Sequence, residues 1–254
     1  MNAIQTPSRR RAALAAAVCS LLLPAAAEPV VREYGKPSES ETPVVRELAP
    51  PKLPPAAGIL PFALGIFPAV ELPAQDWDVA LFRLNLFVGR HRDVYGLDVG
   101  AIGNETTGEF VGVQAAGLYN RVGWSEGAFQ FAGILNRSAG DFAGLQAAVA
   151  ANVADGTMTG FQCGLVNRAA RLDGLQIGLF NFVEAGSGFQ CGLFNRAARL
   201  NGLQIGLFNF VESGSGYQIG LWNSAQSLEG LQIGLGNYNA DSSKPFCPVV
   251  NFAF

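Results

Sequence analysis

The sequence predicts an all-β fold made of tandem strand-turn units 14–16 residues long. Three observations carry this expectation. Gln falls at 114, 130, 146, 162, 176, 190, 204, 218 and 232, in steps of 16 and then of 14. An Asn follows each Gln five or six residues later, from Asn120 to Asn237. Within a unit such as Leu175-Gln176-Ile177-Gly178-Leu179-Phe180, residues alternate with period two, so Leu/Ile/Leu share one strand face and Gln/Gly/Phe the other. A helix would need apolar residues at three-and-four spacing, and a Gly in every unit would cost it about 1 kcal/mol each time.

Two segments precede the repeats. Residues 1–27 read as a cleavable signal peptide: Arg9, Arg10 and Arg11, an apolar run from Ala12 to Leu23, then Ala25-Ala26-Ala27 before Glu28. Cys19 raises the alternative of lipidation, but Val18 occupies a place where a small residue is normally needed. Residues 28–57 carry seven Pro and the phrase PVVRE twice, a composition that cannot bury enough apolar surface to offset its ordering entropy. They read as a disordered linker.

The β-repeat domain is expected over 58–254. FALGIFPAVEL, from Phe62, aligns with FQCGLFNRAAR, from Phe189, as a degenerate first copy, and PVVNFAF ends the chain as a last one. Turn-formers separate the units: SerAlaGlyAsp at 138–141, AlaAspGlyThr at 154–157, GlySerGly at 186–188 and 214–216. The connections alternate between RAARLDG or RAARLNG and FVEAGSG or FVESGSG, so the full repeat is 28 residues.

Two assemblies fit units that cannot bury their own faces. One is an antiparallel meander closed into a β-barrel, and the other is a parallel β-solenoid. The meander is favoured on two grounds. Alternating turns would lie at opposite ends of it, and the chain closes on Phe252-Ala253-Phe254 in the manner of outer-membrane barrel strands. Leu/Ile/Leu would then face lipid. In the solenoid reading those residues fill the interior, and stacked alternation sets Arg beside Glu.

Composition narrows the function classes. Hydrophobic residues make up 49% and charged residues 15%, against about 25% charged in ordinary soluble domains. The formal charge of −3 becomes −6 once Arg9, Arg10 and Arg11 are removed, which argues against a nucleic-acid partner. Cys163, Cys191 and Cys247 form no disulfide framework, since the first two share a slot two strands apart, about 9.5 Å.

The units GLQIGLFN, the stretch DVALFRLNLFVGRHRDVYGLDVG from Asp78 to Gly100, and the ending PFCPVVNFAF together resemble bacterial envelope proteins with a leptospiral-type surface repeat. The resemblance covers residues 58–254. It implies an exported, surface-associated protein and carries over no catalytic or ligand-binding residue.

Chemistry is sparse. His91, near Asp93 and Asp98, reads as a solvated loop residue rather than a proton-transfer or metal cluster, and no cofactor is expected. No nucleophile sits beside a base. Tyr119, Phe180, Phe194, Phe208 and Trp222 occupy one slot of the repeat and form a candidate surface-binding row, although the Gly178 slot could simply make room for their rings. The expectation is a non-enzymatic envelope protein with a structural role, barrel-like in the outer membrane or at the cell surface. The alternative is a soluble solenoid, periplasmic or surface-bound, that binds a glycan or a protein.

Overall fold

The computed structural model describes residues 56–67 and 70–253. The signal peptide, Cys19, nearly all of the linker, and Phe254 lie outside the described residues. The rest is strand and turn, from Ile59–Phe67 to Phe246–Ala253, in a single hydrogen-bonded sheet. Strand pairing is parallel from Ile59–Phe67 through Trp222–Asn239. The fold is therefore a parallel β-solenoid of about eleven coils, and the expected meander or barrel is overturned.

Register explains why. Asn152 pairs with Asn167, Asn167 with Asn181, and Gln162 with Gln176 and then Gln190. In a meander, neighbouring strands run in opposite senses, so Gln–Gln and Asn–Asn matches could not both recur at every step. The connections do not alternate between two ends. They are themselves paired, Arg168 with Phe182 and Leu172 with Gly186, so the whole coil is extended backbone. One strand accordingly runs unbroken for 40 residues, Phe180–Ile219. Stacked alternation sets Arg168 by Glu184 at 3.3 Å and Arg196 by Glu212 at 3.5 Å.

The two faces of the strand are distributed against the solenoid expectation as well. The Gln and Asn side chains point inward and are fully buried, while Ile177 is 39% and Leu193 46% exposed. The interior is completed by Ala169, Leu172, Val183, Ala197 and their equivalents. Burying amides is tolerable because each one stacks on its own kind at the strand spacing of about 4.8 Å. Successive Asn side chains donate Nδ2–H to the next Oδ1, toward the C-terminus, at 2.8–3.0 Å from Asn104 to Asn237. Successive Gln side chains donate Nε2–H in the opposite sense, toward the N-terminus, at 2.7–3.0 Å. The two ladders thus oppose each other's dipoles. The second Nδ2–H of Asn181 donates to the carbonyl of Cys191, which ties the corner of one coil to the next.

Two glycine slots make this geometry possible. Gly160 has φ +126°, and a Cβ there would lie 2.2 Å from the Gly144 oxygen. At Gly178 a Cβ would meet the Gly164 oxygen at 2.1 Å and the Asn167 amide at 2.6 Å. This second glycine makes room for the inner Asn ladder and not for an aromatic ring.

Both ends are closed by antiparallel strands. Val70–Leu72 folds back on Ile59–Phe67, and Phe246–Ala253 lies antiparallel to Trp222–Asn239. The degenerate first copy keeps its slot, with Ala63 opposite Arg83 in the Gln column. At the far end Asn251 enters that column and donates to Gln232 Oε1 at 3.3 Å.

Candidate functional site

The outer surface carries the first candidate. On one side, Ile177, Ile205, Ile219 and Ile233 form a column, and Leu179, Leu193, Leu207 and Leu221 form a second. Between them the Gly178 slot repeats from Gly164 to Gly234 and floors a groove of about 1050 Å³. Six glycines at strand spacing give it a length of roughly 24 Å. Neither column, nor the glycine floor, contains a charged residue.

The predicted aromatic row borders the leucine column. Phe180, Phe194, Phe208 and Trp222 occupy consecutive coils, with Phe180, Phe208 and Trp222 all more than two-fifths exposed. Tyr119 shares the slot but stands apart, separated by Leu135, Ala151 and Val166. Its hydroxyl donates to Glu105 at 3.0 Å, and burial with that carboxylate pushes its pKa up to about 12. The rings lean on one another: Phe194 lies 6.4 Å from Phe180 and 5.1 Å from Phe210. The adjoining side chains are Leu and Phe, so the row is continuous with the apolar groove.

Cys163 and Cys191 sit in the isoleucine column of the same groove, one coil to either side of Ile177, and all three described cysteines are free. Cys163 is exposed and Cys191 half-buried.

The second candidate was invisible to local pattern. His91 is not a solvated loop residue but fully buried in a charged cluster beneath the N-terminal cap. Arg83 occupies the Gln column, donates Nε–H to Asp98 at 2.7 Å, and reaches His91 Nδ1 at 3.3 Å. Because guanidinium can only donate, Nδ1 must accept, and Nε2–H donates to the Pro73 carbonyl at 3.2 Å. Burial, then Arg83, pulls the His91 pKa down to about 4, so it is neutral. Glu71 lies 4.0 Å from the same ring, and burial pushes its pKa up to about 7. Asp93 is not part of the cluster; it pairs with Arg92.

Asp98 joins this cluster to both ladders. It accepts from Gln114, the last donor of the Gln column, and from Asn85, which also donates to Asn104. Asn85 stands one slot away from the Asn column, and Gly89 occupies the vacated place: a Cβ on Gly89 would collide with the Asn85 amide. A carboxylate is well matched to a ladder that ends in a donor, and Arg83 neutralises it. The cluster is buried structural wiring and presents no nucleophile to solvent.

No family model, curated protein or solved structure matches the chain.

Proposed function

We propose that the protein is an exported, non-catalytic binding module of the bacterial cell envelope or surface, a rigid solenoid that holds an apolar face toward a protein partner. One observation carries the reading. The repeat turns its polar side chains inward and leaves Ile and Leu outside, so the uncharged face extends over at least six coils. Contiguous exposed apolar surface on this scale is a mark of interaction sites.

A glycan would need polar side chains beside the aromatic platforms. Here the amides are spent on one another in the interior, the rings adjoin leucines on one side, and on the other side Arg168 and Arg196 are spent on Glu184 and Glu212. Export rests on Arg9–Arg11 and the apolar run after them, and the envelope setting on the likeness of the GLQIGLFN units to bacterial surface repeats. A photocrosslinking residue placed at Leu207, in the exporting cell, should trap a single discrete species. The same residue at Ser187, on the polar side of the coil, should not. Equal trapping at both positions, or none at either, would sink the reading.

A further inference from the structure

Resting on the docking role of that face, we infer that its occupant is a second copy of this chain, the two solenoids meeting groove to groove in a twofold dimer.

The first argument is shape. A leucine ridge and a glycine-floored trough lie side by side, and both repeat at the same rung spacing. Under a twofold axis lying in the interface and running along the stack, the ridge of each copy enters the trough of the other, rung against rung, with each leucine over a glycine. An unrelated partner would need an apolar surface with this same repeat. A second copy has it by construction, and the contact is closed and self-complementary.

The second is area. Leu165, Leu179, Leu193, Leu207 and Leu221 are each 41–48% exposed, with Ile177, Ile219 and Ile233 close behind. Together with the bordering rings they offer on the order of 800 Å², the contribution of one partner to a stable interface. Interdigitation would make the contact dry, as between stacked sheets of identical strands.

The third is charge. Two copies of a net-acidic chain repel, yet the groove contains no charged side chain, so the contact brings no like charges together. A membrane-surface face would carry flanking unneutralised Lys or Arg, whereas Arg168 and Arg196, beyond the aromatic row, are paired with Glu184 and Glu212. The antiparallel terminal strands do not match a further coil, which favours lateral contact over end-to-end stacking.

Sedimentation velocity on the exported chain should give twice the monomer mass at micromolar concentration. Maleimide labelling of Cys163, which lines the groove, should slow at least tenfold between nanomolar and micromolar protein. Cys247, outside the groove, should label at a constant rate. The double variant L193R/L207R should sediment as a monomer with an unchanged β-type circular dichroism spectrum.

A monomeric wild type with a concentration-independent Cys163 rate would overturn the second copy as occupant. If Leu207-specific trapping persisted in that case, at a mass other than a dimer's, the docking role itself would stand. Were that trapping also absent, both would fall. A dimer that survives L193R/L207R would place its interface elsewhere and equally refute the proposal.

Discussion

An amide placed among identical amides is both a donor and an acceptor to its neighbours, so removing one harms two others. Asn195 accepts from Asn181 and donates to Asn209, both at 2.8 Å. Asn195→Ala should therefore strand a buried donor and a buried acceptor, at roughly 2–4 kcal/mol. A urea unfolding midpoint checks this, and a loss under 0.5 kcal/mol would deny the ladder an energetic role. The cap cluster predicts a pH profile. Glu71 holds its proton more tightly folded than unfolded, so its contribution to stability is lost as pH rises from 4.5 to about 7. His91 binds its proton less tightly folded, so its contribution is lost as pH falls from 6.5 to about 4. Between 4.5 and 6.5 the two slopes oppose, and the urea midpoint should be highest and nearly flat there. Glu71→Gln should lessen the alkaline decline and His91→Gln the acid one. A midpoint climbing steadily from pH 5 to 8 would contradict the assignment.

At the scale of one coil, the unit GLQIGLFN is specified almost atom by atom. Its second glycine admits the inner Asn column, so Gly178→Ala should cost about 1–3 kcal/mol through contact with the Gly164 oxygen. The 28-residue period also has an interior cause. Leu172, Leu200 and Leu228 are buried in one column with Gly186 and Gly214 between them, each leucine lying over a glycine. Duplicating residues 174–201 in place should keep that alternation and the Arg–Glu pairing, leaving the thermal midpoint within a few degrees. Duplicating only 188–201 should set leucine over leucine and Arg196 beside its own copy, and lower the midpoint clearly. Equal tolerance of both insertions would show that the alternation is a relic of duplication alone. Period two in GLQIGLFN divides Leu175 to Gly178 into two rows, but it fails at the corner, where Leu179 and Phe180 both lie outside, and it does not say which row is inside. That is decided by what occupies the same slot in the next coil, and a column of Gln matched to Gln is the evidence for parallel, in-register stacking. The terminal Phe252-Ala253 pattern pointed the other way, yet it belongs to a closing strand that is antiparallel to its neighbour, Trp222–Asn239, in an otherwise parallel stack. His91 had no such signal: its partners Arg83, Asp98 and Glu71 converge only once the cap has folded.

At the scale of the molecule, a narrow solenoid has little interior and much surface, and this one commits its Gln and Asn columns to the interior and the Ile and Leu columns of the groove to the exterior. The chain from residue 28 onward should refold from urea in plain buffer without detergent, giving a β-type spectrum. A requirement for micelles would count against the solenoid as a water-borne module. The ends matter differently from the middle. A stack of interchangeable coils has no inherent length, and each added cassette presents the same open edge as the one before. Here Val70–Leu72 and Phe246–Ala253 run against the grain of the stack, so the edge they offer no longer matches a further coil. Those few residues act as the full stops of a sentence that could otherwise run on. The number of coils can therefore drift over evolutionary time through unequal copying of the 28-residue cassette, lengthening or shortening the face. The two closing strands need not change with it, and among the described residues they are what separates a finite molecule from a fibre.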